Sequence, residues 1–173
     1  MRNMAQIIKA HNTNVTSPRV EIEKPCNCRN KQSCPLTGKC QATNIVYRTE
    51  IISNNNQQNS KFYIGLSGPN FKQRLASHNT SFNNRSHEKD TELSKYIWKL
   101  KDAQTPFKIK WSTVRKTSGY NNISKACSLC MSEKLAICNF KDKSRLLNKR
   151  NELVSKCRHE NKYILRNFRP PGG

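Results

Sequence analysis

Residues 63–78, YIGLSGPNFKQRLASH, pass from the pattern of a strand to the pattern of a helix. The apolar run 62–65 predicts a short strand, and the dipeptide Gly68-Pro69 ends it with a turn. Beyond the turn, the apolar residues Phe71 and Leu75 are four positions apart, which is the spacing of one helical stripe. The stretch therefore predicts a strand–turn–helix unit.

A second stripe of the same predicted helix carries polar side chains. Arg74 and His78 are also four positions apart, so they lie on one side of the helix. Tyr63 belongs to the strand that precedes them. We expect the phenol of Tyr63 and the guanidinium of Arg74 to face one cleft.

A second strand is predicted upstream, over residues 44–51 (NIVYRTEI), because this segment is rich in β-branched residues. The linker 54–60 (NNNQQNS) is polar and turn-forming, so the two strands are predicted to form a hairpin. In such a hairpin, Tyr47 and Tyr63 lie on neighbouring strands.

An amphipathic helix is predicted from Thr91, whose side-chain oxygen suits the N-cap position, and Glu92 in the first turn favours the same start. Its apolar residues recur at i, i+3, i+4 and i+7, the pattern of a helix that packs one face on a core. They are Leu93, Tyr96, Ile97 and Leu100.

A third strand is predicted over residues 107–114, where apolar and polar positions alternate. Phe107, Ile109 and Trp111 are expected on its buried face. Lys108 and Lys110 lie on the opposite face, which is either solvated or directed at phosphate, and Lys72 is a further candidate for DNA contact. A last helix is predicted from a cap at Ser124 to about Phe140.

These elements indicate an α/β fold of the α+β type. We expect a small, mainly antiparallel three-stranded sheet flanked by helices, with a zinc-bound knuckle at the N-terminal end. Only 34% of the residues are hydrophobic, so the core must be small.

The charge of the chain points to a polyanionic partner. The net charge is +21, from 32 Lys and Arg against 11 Asp and Glu. Nucleic acid is the favoured partner, while a solvated basic face and an anionic membrane surface are the alternatives. No apolar run approaches the roughly 20 residues of a membrane span, and no hydrophobic signal segment is present at the start. We therefore predict nucleic acid as partner and no membrane association.

Eight cysteines in so basic a chain favour metal binding over a disulfide framework. Four of them form the run C-x-C-x5-C-x5-C, which suits one tetrahedral zinc ion. They are Cys26, Cys28, Cys34 and Cys40. A rival set pairs Cys34 and Cys40 with His78 and His87, and unliganded thiols in a loop are the third possibility.

A second zinc site is predicted from residues far apart in the chain. Cys127-x2-Cys130 and Cys157-x-His159 together supply three thiols and one imidazole. Such a site would join the last helix to the C-terminal segment near Glu133. Cys138 has no partner in this scheme and is expected in the core.

The hairpin and the helix after it resemble the GIY-YIG endonuclease family. The second motif of the family is intact in Tyr63-Ile64-Gly65, and its helix arginine matches Arg74. The first motif is degenerate in residues 44–47 (NIVY), where the tyrosine Tyr47 remains but the glycine is missing.

The resemblance implies a set of catalytic residues. Glu133 matches the single metal-binding glutamate of the family, and Asn148 matches its asparagine near the end of the domain. Tyr47 and Tyr63 would activate and position the water, with either one as the general base, and Arg74 would bind the phosphate. His78 would support acid–base chemistry or contact phosphate. One Mg²⁺ or Mn²⁺ at Glu133 would complete the site.

The motifs taken together look like the endonuclease domain of Penelope-like retroelements. They include the cysteine run, Glu133-Lys134, residues 146–148 (LLN) and residues 157–159 (CRH). The resemblance implies a nuclear enzyme whose partner is double-stranded DNA, which it nicks so that the free 3′ hydroxyl primes reverse transcription. Its further partners would be the reverse transcriptase portion of the same polypeptide and retroelement RNA.

The resemblance also divides the chain. Residues 1–24 would be a linker or the tail of an upstream polymerase portion, and 25–43 the zinc-binding segment. Residues 44–168 would be the nuclease domain and 169–173 a flexible tail. Because the first motif lacks its glycine, a non-catalytic zinc-dependent nucleic-acid-binding module is the alternative function.

Overall fold

A computed structural model describes residues 3–4, 25–54, 59–121, 123–124, 126–153, 156–157 and 159. Apart from residues 3 and 4, the expected linker over 1–24 lies outside these residues, as does the expected tail over 169–173.

An antiparallel sheet forms the centre of the fold. Strand β1 (Ile45–Ser53) lies between β2 (Lys61–Ser67) and β3 (Phe107–Lys116) and pairs antiparallel with both. A bulge in the β1–β3 pairing falls between Val46 and Tyr47. The predicted α+β class with a three-stranded sheet is thus confirmed, and β1 is its central strand.

Two helices cover one face of the sheet. Helix α1 (Phe71–Asn83) follows the turn after β2, and a 3-10 helix (Arg85–Asp90) connects it to α2 (Glu92–Asp102). Asn70 and Thr91 cap the two helices with their side-chain oxygens, which satisfies backbone N–H groups that have no partner within the helix. The core on this face comprises Leu36, Ile45, Tyr47, Ile51, Tyr63, Phe71, Phe82, Leu93, Ile97 and Leu100.

A third helix, α3 (Ser128–Cys138), packs on the other face. A second, smaller core lies beneath it, because β1 and β2 direct alternate side chains to this side. Its buried members are Val46, Ile64, Leu66, Leu129, Cys130, Ile137 and Cys157.

The outer edge of β2 is covered by the segment that follows α3. After a 3-10 helix (Lys143–Arg145), Leu146 forms a parallel bridge with Phe62, and the Leu147 N–H donates to the Phe62 carbonyl at 2.8 Å. A short helix, α4 (Arg150–Leu153), follows.

The cysteine-rich knuckle, residues 25–43, is fastened to the start of α1. The backbone N–H groups of Phe71 and Lys72 donate to the carbonyls of Ala42 and Cys40 at 3.0 and 2.9 Å. The knuckle therefore sits where the strand–turn–helix unit changes direction.

The start of α3 corrects the sequence prediction. The chain before it forms a small hairpin of β4 (Tyr120–Asn121) and β5 (Ala126–Cys127), so the helix begins at Ser128 and not near Ser124. The N-cap is Cys127, whose sulfur accepts from the Cys130 N–H at 3.5 Å.

The prediction for Cys138 is wrong as well. It is the last residue of α3 and lies on the exposed side of the helix, away from the core positions Cys130 and Ile137.

No helix within the described part of the chain is long and apolar enough to cross a bilayer.

Candidate active site and metal centres

The Tyr47 phenol is the centre of a hydrogen-bonded cluster. Its oxygen lies 2.7 Å from His78 Nε2, and Arg74 Nε donates to it at 3.2 Å. Arg74 and His78 come from one stripe of α1, as their spacing predicted. The phenol that hydrogen-bonds to Arg74 is that of Tyr47, whereas the Tyr63 ring lies edge-on to the His78 ring at 6.4 Å.

Gly65 makes room for this arrangement. It pairs with Tyr47 across the β1–β2 ladder. A Cβ atom on Gly65 would lie 2.5 Å from the Tyr47 oxygen and 2.7 Å from its Cζ, closer than real Cβ atoms approach other atoms. The Tyr47 side chain can therefore cross β2 only because residue 65 has no side chain.

The cluster is shielded from bulk water. Tyr47 is 0% exposed, His78 2% and Tyr63 3%. Phe71 packs edge-on against the Tyr47 ring at 5.3 Å. Among the clustered polar groups, the Arg74 side chain is the one that also reaches the surface.

The environment of Tyr63 keeps its phenol protonated. Burial raises the pKa of Tyr63 well above its ordinary value of about 10, and the charges of Tyr47, Glu152 and Glu133 raise it further, while Arg74 opposes them. A phenol with a raised pKa is a poor base at neutral pH. Tyr47 is buried as fully, but its oxygen lies 2.7 Å from His78 Nε2, so its phenol has a neighbour to which its own proton can pass.

Glu133 lies on α3, on the side of the helix that faces the sheet, and is half-buried. Its charge acts on both Tyr63 and Arg74. The predicted metal-binding glutamate thus shares one electrostatic environment with the tyrosine–arginine cluster, although it belongs to the helix on the other face.

Asn148 hydrogen-bonds to the backbone of β2 at its edge. Its Oδ1 accepts from the Ile64 N–H at 2.8 Å, and its Nδ2 donates to the Ile64 carbonyl at 2.8 Å and to a Glu152 carboxylate oxygen. Both donors of the amide are used within the protein, so Asn148 positions β2 and Glu152 in preference to binding phosphate.

Two charged residues were missed by sequence reasoning. Glu152 follows Asn148 by four positions, a spacing that could have revealed their contact. Lys134, which follows Glu133 in the sequence, is buried, and its Nζ donates to the carbonyls of Glu152 and Leu153 at 2.9 and 2.6 Å, contacts that no sequence spacing predicted. It fastens α4 to the helix that carries Glu133.

The first cysteine cluster has the geometry of a metal site. The sulfurs of Cys26, Cys28, Cys34 and Cys40 all lie within 4.8 Å of one another, and Cys40 is 3.6 Å from both Cys26 and Cys28. Tetrahedral zinc with Zn–S bonds of about 2.3 Å requires S···S distances of about 3.8 Å. The four thiols could therefore hold an ion such as zinc.

Within this cluster, hydrogen bonds favour thiolate at Cys34, whereas hydrogen bonds with Cys40 and Cys26 raise the pKa of Cys28 to about 12 and burial raises the pKa of Cys40. Burial raises the pKa of Cys34, but hydrogen bonds with the backbone of Leu36 and Gly38 outweigh it and lower the pKa to about 6. The rival ligand set does not come together, because His78 contacts Tyr47 and His87 contacts Asp90 at 3.0 Å.

The second cluster brings together residues from both sides of Glu133 in sequence. Nδ1 of His159 lies 3.3, 3.8 and 4.0 Å from the sulfurs of Cys127, Cys130 and Cys157, and the last two sulfurs are 3.6 Å apart. A tetrahedral zinc ion with one nitrogen ligand requires N···S distances of about 3.6 Å. These four residues could also hold a metal ion.

The three lysines predicted to contact DNA do not form one surface. Lys108 and Lys110 are exposed on β3 and point away from the face that carries Tyr47. Lys72 lies on α1, where its Nζ donates to the Asn27 side chain of the knuckle at 2.9 Å.

Comparisons with family models, curated proteins and solved structures found no match to this chain.

Proposed function

We propose that the protein is a metal-dependent DNA endonuclease that nicks duplex DNA by hydrolysing one phosphodiester. The observation that carries the proposal is the contact of the Tyr47 phenol with both His78 and Arg74, on the hairpin that resembles the GIY-YIG motifs. A phenol that contacts both an imidazole and a guanidinium combines a proton acceptor with a phosphate ligand.

The proton of the attacking water passes through the Tyr47–His78 pair. Water attacks phosphorus, the new P–O bond forms, and the bond to the 3′ oxygen breaks; the released oxygen takes a proton from solvent, which leaves a 3′ hydroxyl and a 5′ phosphate. The proton lost by water moves to the phenol oxygen of Tyr47 while the phenol proton moves to His78 Nε2, 2.7 Å away. Tyr63 remains a neutral phenol and positions the reactants.

Arg74 couples substrate binding to exposure of the phenol. Its Nε contacts Tyr47, while the side chain also lines a cleft at the surface. A phosphate bound by the terminal nitrogens draws the guanidinium toward the cleft and opens the phenol to water. Glu133 would hold a Mg²⁺ or Mn²⁺ ion, which neutralises charge on the leaving oxygen when bound.

In this proposal both cysteine clusters hold structural zinc. One ion would hold the knuckle together, since all four of its ligands lie there, and the other would fasten the hairpin before α3 to the segment after α4. The domain has a small core, so such ions would contribute directly to its folding free energy.

The resemblance to Penelope-like retroelements supplies the biological role. The 3′ hydroxyl left by the nick would prime reverse transcription in the nucleus. The reverse transcriptase portion of the same polypeptide would extend it with retroelement RNA as template.

The burial of the cluster favours a second candidate function, a non-catalytic zinc-dependent module that binds nucleic acid. With Tyr47, Tyr63 and His78 almost inaccessible, the same contacts would serve as a polar core. The charge of +21 supports nucleic-acid binding under either function.

A plasmid assay separates the two functions. Zinc-loaded protein is incubated with supercoiled plasmid and Mg²⁺ or Mn²⁺, and conversion to the open circle is measured against a metal-free reaction. Metal-dependent nicking that is lost in Glu133→Ala and kept in the surface control Glu88→Ala supports the nuclease. Tight plasmid binding without nicking in either metal supports the binding module.

A further inference from the structure

The second cysteine cluster shares a wall with the cleft that Arg74 lines. This cleft has a volume of about 410 Å³ and is formed by the turn at 66–69, by the first two turns of α1 and by His159. A metal centre that only stabilised the fold would have no need to face this cleft.

The two ring nitrogens of His159 face different surroundings. Nδ1 points at the three thiols, at 3.3 to 4.0 Å. Nε2 lies 3.6 Å from the position that a Cβ on Gly68 would occupy, at the rim of the cleft. The ring also stacks on Tyr120 with an angle of 7° between the planes, which fixes its orientation.

Coordination through Nδ1 would make Nε2 a permanent hydrogen-bond donor. A histidine that binds metal by one nitrogen carries its proton on the other, and the cation polarises that N–H bond. No residue in the described part of the chain accepts a hydrogen bond from Nε2 of His159. The donor is thus directed at whatever occupies the cleft.

The remaining wall of the cleft is complementary to an anion. Arg74 uses Nε on Tyr47, and none of the described residues accepts from its two terminal nitrogens. Gln73 adds an exposed amide from the same helix, and no described carboxylate lines the cleft. A phosphodiester offers two acceptor oxygens to such a set of donors.

We propose that His159 is a substrate-binding residue, whose Nε2–H donates to a backbone phosphate of the nucleic acid bound in the Arg74 cleft. The second metal centre then serves binding as well as folding, since the metal holds the imidazole and its tautomer in place. This inference rests on the proposed function for the identity of its occupant.

The test uses two variants that remove the contact in different ways. His159→Cys keeps four metal ligands but loses the N–H donor. Gly68→Ala keeps the donor and the net charge but places a methyl group 3.6 Å from Nε2, where the phosphate oxygen would lie. Zinc content by elemental analysis and the melting temperature establish that each variant is loaded and folded.

Affinity for a fluorescent duplex is measured by anisotropy without Mg²⁺ or Mn²⁺. Both variants should bind about 5- to 10-fold more weakly than the wild type at unchanged zinc content, about 1.0–1.4 kcal/mol at 1.4 kcal/mol per tenfold. Weakening in His159→Cys alone would be explained by the added thiolate charge and overturns the proposal. Wild-type affinity in both variants overturns it and leaves the nuclease assignment standing.

Titrations with inorganic phosphate and with duplex show whether a negative result concerns the occupant of the Arg74 cleft or the proposed function of the protein. In the wild type, the Nε2–H resonance of His159 should shift on addition of duplex, and phosphate should compete for the site. A shift with phosphate but none with duplex overturns the nucleic-acid occupant, whereas a wild type that binds no duplex at all overturns the proposed function itself.

Discussion

Replacing Gly65 with alanine tests how the Tyr47 cluster is built. The added methyl group would lie 2.5 Å from the Tyr47 oxygen and 2.7 Å from Cζ. Ordinary contact begins near 3.4 Å, so the phenol must move by about 0.9 Å in a packed interior that tolerates little displacement. The ring has no space to yield freely, because Phe71 and Trp111 pack against it at 5.3 and 5.8 Å.

The cost has two parts. Overpacking a well-packed core costs about 1–3 kcal/mol, and leaving a buried hydrogen-bonding group without its partner costs about 1–3 kcal/mol. We therefore expect Gly65→Ala to lower the free energy of unfolding by at least about 2 kcal/mol. For a domain of this size, that corresponds to a fall in melting temperature of about 4–8 °C.

Thermal and urea unfolding, followed by circular dichroism, measure the effect. Gly68→Ala is the matched control, since its methyl group meets only His159 Nε2 at an ordinary 3.6 Å and should change stability by less than about 0.5 kcal/mol. Equal stability of the two variants would refute the close approach of Tyr47 to Gly65. Nicking should fall with the displaced phenol in Gly65→Ala if Tyr47 takes part in the chemistry.

Three further predictions concern Tyr63, the metal centres and the lysines of β3. The pKa of Tyr63 is raised in the folded state, so its contribution to folding stability is fully present below about pH 10 and is lost at higher pH, where the unfolded phenol ionises. Tyr63→Phe should therefore flatten the alkaline decline of the unfolding free energy. An unchanged slope in alkaline urea melts would show that Tyr63 titrates normally. Elemental analysis of reduced protein should find about two zinc ions per chain, one of them lost in Cys40→Ser and the other in Cys130→Ser, and a chain without zinc would remove both centres. If Lys108 and Lys110 each contact a phosphate, their double replacement by alanine should reduce the slope of log affinity against log salt by about 1.8, and an unchanged slope would assign them to solvent.

Local patterns predicted the elements that position the site. The four-residue spacing of Arg74 and His78 placed both on one side of α1, although the phenol that they contact is that of Tyr47 and not the expected Tyr63. The spacing of the N-terminal thiols placed them in one cluster. These features depend on helical periodicity and short loops, which sequence expresses directly.

Other features depend on contacts between distant segments. The hydrogen bonds between Asn148 and Ile64 join residues 84 positions apart, and the sequence around either residue does not predict them. The near-complete burial of Tyr47 follows from the meeting of β1 with α1 and from the missing side chain of Gly65. The start of α3 was predicted too early for a similar reason, since pairing of β4 with β5 competes with helix formation over the same residues.

Replacing Glu133 most directly tests the central claim, that this residue holds the catalytic metal ion. The replacement should affect cleavage and binding differently. The measurement compares single-turnover nicking with metal and duplex affinity without metal, for the wild type, Glu133→Ala and Arg74→Ala. Glu133→Ala should nick at least about 100-fold more slowly, about 2.7 kcal/mol at 1.36 kcal/mol per tenfold, because the ion acts mainly on the transition state. Its metal-free affinity should be equal or slightly tighter, since a negative charge leaves the DNA-facing site.

Arg74→Ala should lose both rate and affinity, because its charge serves the bound phosphate before and during cleavage. A folded Glu133→Ala protein that nicks at the wild-type rate would contradict the account, since the catalytic metal would then be held elsewhere.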